Sequence, residues 1–279
     1  MRYASYLSSN QTPTWGVEIG DELVDLGPTG LGVAPTLKAA VIAGGPIVPM
    51  ELGDAPRIAV ADAVFLPVVV DPEKIVCIGV NYRTHQDETG RADVAHPVVF
   101  SRWADTLAGA GAEVALPRES TMYDYEGEVA LVIGKPAYKV AAADAFDYVA
   151  GYANFNDFSA RDWQRHTGQW IPGKNFPESG TFGPFYVPSG DIDDIRGATL
   201  VTRVNGEVRQ SASVADLIFD IPEIIEYVTS FTRLAAGDVI VTGTPGGVGL
   251  FMDPPTFLRP GDVVEVEATG LGILTNRLV

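Results

Sequence analysis

Apolar residues in this chain fall in short runs separated by glycine, proline and acidic positions, with few long helical stripes. Runs of about five to eight residues, rich in β-branched side chains and closed by turn formers, predict strands. They place strands at Ile75 to Val80, Val98 to Ser101, Glu126 to Ile133, Tyr148 to Phe155, Thr199 to Val204, Asp238 to Thr242 and Val263 to Glu267. Helical periodicity is clearest at Ile221 to Phe231, where Ile221, Ile224, Ile225, Val228 and Phe231 recur on one face. Asp220, followed by Pro222 and Glu223, gives that helix an N-cap and the start of a capping box. The pattern predicts a mainly β protein of the α+β class.

The first 70 residues carry a weaker pattern: a strand pair around Trp15 to Val24, a helix near Thr36 to Ile42, then a loop rich in glycine, proline and acid. No histidine and no strand-borne carboxylate pair occurs there, so the chemistry is expected after Asp71-Pro72. A proline restricts the residue before it and marks a natural boundary. The expected organisation is a small N-terminal domain, residues 1–70, followed by a catalytic domain, residues 71–279. No repeat of solenoid length is present.

Composition narrows the classes. The 279 residues include 19 Lys+Arg against 36 Asp+Glu, a net charge of −17. No basic stripe exists to displace counterions from nucleic acid or to grip an anionic membrane. No window approaches a membrane-spanning apolar run, and the first residues lack a secretory apolar core. The single Cys77 cannot form an internal disulfide, and three histidines leave little for a zinc site. The expectation is a soluble, cytoplasmic protein with neither nucleic acid nor membrane as partner.

The most informative segment is Asp124-Tyr125-Glu126-Gly127-Glu128, which leads into the apolar run Val129 to Ile133. By the two-residue period of a strand, Glu126 and Glu128 point to one face where the strand enters the core. Two carboxylates about 5 Å apart repel by roughly 3 kcal/mol at an effective dielectric near 20, which a shared proton or a cation relieves. Glu265 and Glu267 have the same spacing but alternate with Val264 and Val266, so that pair is expected to face solvent. A third carboxylate, Asp157, ends the run Tyr152 to Asn156, and Arg161 and Gln164 follow with the spacing of one helical face. Three carboxylates without a histidine cluster make an all-oxygen ligand set, suited to Mg²⁺, Mn²⁺ or Ca²⁺.

After the strand ending at Val80 the chain turns polar and places His85 and Glu88 at positions i and i+3. A carboxylate beside an imidazole fixes its tautomer and raises its basicity, the arrangement of a general base. His96 and His166 have weaker surroundings. Two loops, Gly173-Lys174-Asn175-Phe176-Pro177 and Gly243-Thr244-Pro245-Gly246-Gly247-Val248-Gly249, lack the spacing of a phosphate-binding P-loop. The second could still bring backbone amides close to a small anion.

Six segments in order, from about Ile75 to the C-terminus, resemble the fumarylacetoacetate hydrolase family. They are residues 79–88, 124–134, 156–164, 173–176, 237–248 and 260–267. The resemblance implies a mixed β-sandwich roll as the catalytic domain, a smaller N-terminal domain and a homodimer. It implies one Mg²⁺ or Mn²⁺ per chain on Glu126, Glu128 and Asp157, with His85 and Glu88 as a water-activating dyad on a mobile lid. Tyr82, Arg161, Gln164, Lys174 and Thr244 would bind substrate oxygens, with Lys174 also serving catalysis. The segment Pro177 to Pro184 departs from the family pattern and is expected to border the substrate.

The activity this implies first is hydrolysis of a carbon–carbon bond in an anionic 1,3-dicarbonyl acid such as an acylpyruvate or fumarylpyruvate. The same metal chemistry in the family serves isomerisation or tautomerisation of a 2-oxo acid, its decarboxylation, and sugar-acid cleavage. A protein that holds a metal and an organic acid without turnover is the non-enzymatic reading, and the His85 and Glu88 pair argues against it.

Overall fold

The computed structural model describes residues 1–46 and 48–279. Among these, a 12-stranded mixed sheet runs in the order Arg57–Ala59, Glu22–Asp25, Pro13–Ile19, Tyr3–Leu7, Gly180–Pro188, Val149–Asp157, Gly127–Ile133, Val239–Val241, Ile75–Gly79, Val98–Arg102, with two short strands off this path. A five-stranded sheet, with Thr199–Val204 and Val263–Ala268 near its centre, packs against it. The protein is a mostly β mixed sandwich roll with few helices, as its strand pattern predicts.

The central strand Gly127–Ile133 is buried along its whole length, because each of its faces meets a different core. Val129, Leu131 and Ile133 pack with Leu200, Val266 and Leu274 of the smaller sheet and with Ile224, Ile225 and Val228 of the helix Ile221–Phe231. Ala130 and Val132 face Cys77, Val241, Trp15 and Leu37 on the opposite side. The two-residue period of the strand thus explains an apolar run with no polar face.

The helix Ile221–Phe231 starts as its sequence dictates. Asp220 accepts from the Glu223 amide at 2.9 Å, and Glu223 accepts from the Asp220 amide at 2.9 Å. One expectation is corrected: Phe231 lies outside the buried stripe, 57% exposed, with its ring edge against Tyr227. The helix ends there and its last side chain overhangs the core. Glu265 and Glu267 lie on the half-exposed face of their strand, where Glu267 pairs with Arg203 at 2.7 Å.

Near the N-terminus, Thr36 caps the short helix Leu37–Ile42, and the strands Pro13–Ile19 and Glu22–Asp25 form the expected pair. The segment after Phe176 is also corrected. Gly180–Pro188 is a strand paired with Val149–Asp157, buried up to Val187, and none of residues 177–184 lines the cavity described below. Sequence alone did not reveal it, because Gly180, Gly183 and Pro184 read as turn formers.

Candidate active site

Strand register gathers the carboxylates. Gly127–Ile133 pairs with Val149–Asp157 so that Glu128 lies opposite Phe155, and the Asp157 amide donates to the Glu126 carbonyl at 2.8 Å. Opposite residues of an antiparallel pair share a face, so Glu126, Glu128 and Asp157 converge at one end of the sheet. A carboxylate oxygen from each lies within 4.8 Å of the others, and all three side chains are buried. The Asn156 side chain accepts from the Glu126 amide and Gln210 accepts from the Gly127 amide, both at 3.0 Å, which pins the strand entrance.

Buried cations balance most of this charge in an alternating chain. Arg161 pairs with Asp124 at 2.8 Å and with Glu126. Lys174 bridges Glu126 at 2.6 Å and Asp157 at 2.5 Å. Arg102 closes the far end on Asp157, and its other two nitrogens donate to Ser179 Oγ at 2.8 Å and the Phe158 carbonyl at 2.7 Å. Glu128 is left without a cationic partner among the described residues and accepts only the Gly243 amide. Burial and the charges of Asp157 and Glu126 push its carboxyl well above the ordinary carboxylate range. For Glu126 burial acts in the same sense, but Arg161 and Lys174 outweigh it and hold the carboxyl below its ordinary value. Lys174 is desolvated too, yet Asp157 and Glu126 raise its pKa, so it stays an ammonium.

Among the described residues, the four carboxylates of Asp124, Glu126, Glu128 and Asp157 face only three cationic partners, Arg102, Arg161 and Lys174. With all four ionised one negative charge would be in surplus, and the carboxyl that resists ionisation is Glu128, the one with no cation beside it. An all-oxygen triad with uncompensated charge fits a hard divalent cation.

The helix Arg83–Thr89 brings up the second group. His85 Nδ1 lies 2.6 Å from Glu88 Oε1, and Glu88 Oε2 accepts the Gly247 amide at 2.9 Å. Thr84 Oγ1 accepts the Gly246 amide at 3.0 Å. The glycine-rich segment 243–250 does present amides to anions, as its composition suggests, but the anions belong to the protein. Gly243 serves Glu128, Gly247 serves Glu88, and Gly249 and Leu250 serve Asp124. Gly247 has a φ of +101° and passes so close to the Arg209 carbonyl that a Cβ would lie 2.1 Å from it.

A cavity of about 220 Å³ opens onto this assembly. His85, Glu126, Glu128, Arg161, Gln164, Lys174 and Thr244 all line it. Glu88 stands behind His85, and Asp157 stands behind Lys174. Tyr82 is not brought into it: its side chain is fully buried elsewhere and its hydroxyl has no hydrogen-bond partner. Thr244 donates its hydroxyl proton to the Gly127 carbonyl at 3.0 Å and accepts from Gln210 at 2.8 Å, so that hydroxyl braces the strand entrance. His96 stacks on Tyr227 and His166 leans on Trp163, both apart from the cavity.

Several contributors escaped the sequence reading. Asp124 belongs to the same acidic motif, and its role in orienting Arg161 could have been suspected from that. Arg102 gave no signal, since its partners lie 55 and 77 positions away. Trp170 forms part of the cavity wall and lies against Gly79, where a Cβ would come within 2.0 Å of the indole.

The fold is a mixed β roll with a buried carboxylate triad and a histidine–carboxylate pair at one small cavity. The profile described as "Fumarylacetoacetate (FAA) hydrolase C-terminal" matches residues 74–279, and the chain belongs to this family. It is 36% identical over 259 residues to a mitochondrial oxaloacetate tautomerase of Rattus norvegicus, covering 92% of this chain and 79% of that protein. It is 43% identical over 215 residues to the oxaloacetate tautomerase YisK of Bacillus subtilis (strain 168), covering 76% and 71%. Its fold matches the fumarylacetoacetate hydrolase of psychrophilic Exiguobacterium antarcticum with a TM-score of 0.88 at 32% identity, over 100% of this chain and 99% of that one. Among the described residues no helix is long and apolar enough to cross a membrane.

Proposed function

We propose that this family enzyme is a divalent-metal-dependent tautomerase that interconverts the keto and enol forms of a small 2-oxo acid of the oxaloacetate type. The family resemblance of the sequence implies carbon–carbon bond hydrolysis of an acylpyruvate first. The tautomerases among its relatives shift the preference to the isomerase reading. The observation that carries the proposal is the placement of the His85–Glu88 pair and the carboxylate triad on one cavity.

Glu126, Glu128 and Asp157 would hold the cation, which when bound supplies Lewis-acid polarisation of the 2-oxo group and acidifies the adjacent carbon. Arg161 keeps one terminal nitrogen buried and without a partner, and that donor suits the substrate's 1-carboxylate. Lys174, held as an ammonium, adds positive charge where the enolate forms. His85 Nδ1 is committed to Glu88, which leaves Nε2 as the base. It takes a proton from carbon 3 as the C–H bond breaks and the C2–C3 double bond forms, and it returns that proton to the C2 oxygen. The reverse sequence ketonises the enol, and no water is consumed.

The test follows the enol absorbance of oxaloacetate approaching equilibrium with Mg²⁺-loaded protein, with products identified by NMR. Acceleration that His85→Ala reduces by about 10²-fold or more, the scale of general acid–base catalysis, supports the reading. Cleavage of acylpyruvates without any acceleration of enol–keto exchange replaces it with hydrolysis.

A further inference from the structure

The edge strand Glu207–Ser213 of the smaller sheet fully buries one side chain, and that side chain is the polar Gln210. A buried amide is costly unless its polar atoms find partners, and those of Gln210 do. Its Oε1 accepts the Gly127 backbone amide at 3.0 Å, and its Nε2 donates to Thr244 Oγ1 at 2.8 Å and to the Pro245 carbonyl at 2.7 Å. The Thr244 hydroxyl closes a circuit by donating to the Gly127 carbonyl at 3.0 Å. Gly127 offers a donor and Pro245 an acceptor, so the side-chain amide fits in one orientation.

Gly127 separates Glu126 from Glu128, and it approaches this closely because it has no Cβ. One would lie 2.0 Å from Thr202 Oγ1, on the strand paired with Gln210. Thr244 and Pro245 follow Gly243, whose amide donates to Glu128. One side chain from a separate sheet thus fastens the peptide between two carboxylates to the loop that grips one of them.

We infer that Gln210 is a positioning residue for the cation site: it fixes the spacing of Glu126 and Glu128 and so sets how sharply the triad discriminates a small cation such as Mg²⁺ from the larger Ca²⁺. The inference rests on the triad as a cation site and not on the reaction assigned to it. Gln210 does not line the cavity, so it acts through the peptide and the loop it holds. Mg²⁺ demands oxygens at about 2.0–2.1 Å in near-octahedral order, whereas Ca²⁺ accepts about 2.3–2.6 Å and irregular shells. A strand entrance released from Gln210 is free to widen, which the larger ion tolerates and the smaller does not.

Calorimetric titration of the chelator-treated full chain with Mg²⁺ and, separately, with Ca²⁺ tests this apart from turnover. Gln210→Met, which keeps the volume and removes the amide, should weaken Mg²⁺ binding about tenfold or more, the scale for losing a group that orients a metal ligand. Ca²⁺ binding should weaken by less than about threefold. Thr244→Val opens the same circuit at its other side and should shift the ratio of the two affinities in the same direction, and Thr244→Ser, which restores the hydroxyl, should return it to the parent value. The double variant of Gln210→Met and Thr244→Val should be no worse than the stronger single change, because both break one circuit. Val228→Ala, a truncation in the core beneath the helix Ile221–Phe231, lowers stability by another route and should leave the ratio unchanged. Circular dichroism establishes which variants fold, and if Gln210→Met does not, the Thr244 variants decide. A Mg²⁺-to-Ca²⁺ ratio unchanged in the Gln210 and Thr244 variants overturns the inference. A parent protein that binds neither ion removes the cation site and the inference with it. A ratio that shifts as stated in a protein that does not tautomerise oxaloacetate would sink the activity reading and leave the role of Gln210 standing.

Discussion

The Gly247 amide donates to Glu88 at 2.9 Å, and through that bond the glycine-rich loop aims the carboxylate that holds His85. Glu88→Ala should lower kcat by about 10²-fold or more, with Mg²⁺ affinity unchanged because Glu88 is outside the triad. Gly247→Ala should also lower kcat, since a φ of +101° and a carbonyl 2.1 Å from the new Cβ force the loop to move. Steady-state kinetics beside Mg²⁺ titration checks both. Unchanged kcat in Glu88→Ala would remove His85 from the mechanism.

Arg102 is fully buried and satisfies Asp157, Ser179 and the Phe158 carbonyl together. Arg102→Met leaves Asp157 with one cation fewer, and truncating one partner of a buried pair costs about 3–5 kcal/mol. Urea unfolding should show a loss of that size. A loss under about 1 kcal/mol, the range of a surface pair, would mean that Asp157 is held by Lys174 alone.

Glu128 repels its neighbours without a cation and is needed with one. Without metal, Glu128→Gln should be at least as stable as the parent protein, because it removes a carboxyl whose ionisation is unfavourable there while keeping the acceptor for the Gly243 amide. With Mg²⁺ at 100 times its Kd the parent should gain about 2.7 kcal/mol and the variant little. Thermal unfolding with and without chelator shows whether the two curves cross in this way. A variant that gains as much as the parent excludes Glu128 as a ligand.

Gly79 ends a buried strand with Trp170 directly over it. Gly79→Ala should displace the indole from the cavity wall and redshift its fluorescence, raising KM for oxaloacetate more than it lowers kcat. Quenching by acrylamide reports the indole's exposure, and an unchanged spectrum with unchanged KM would show that the wall yields freely.

Tyr82 lies in a motif shared with the family yet does not reach the cavity, and its hydroxyl is buried without a partner. Removing an unsatisfied buried hydroxyl is close to neutral. Tyr82→Phe should therefore keep KM and kcat within about twofold and cost under about 1 kcal/mol, in the range of a conservative core substitution. A KM raised tenfold or more would return the hydroxyl to substrate binding.

Much of this protein was legible in its residue order. Strand periodicity located the central elements, because an apolar run with β-branched residues can bury itself in few other ways. The His85 and Glu88 spacing gave a helical pair, and the Glu126 and Glu128 spacing gave a shared face, since both follow from the local repeat of the backbone. The glycine-rich loop was read as a place where amides could approach a small anion, and the structure gives those amides to the protein's own carboxylates. Which anions those are depends on chain segments more than 100 positions apart.

The sequence by itself determined the strand faces, the helix cap at Asp220 and the chemical type of the site, because each depends on neighbours within a few residues. Only the tertiary structure decided that Arg102 closes the charge chain, that Tyr82 stays outside the cavity, and that Gly180–Pro188 is a buried strand. Those outcomes are set by register between distant strands and by which buried charges must be neutralised, and no local pattern encodes either.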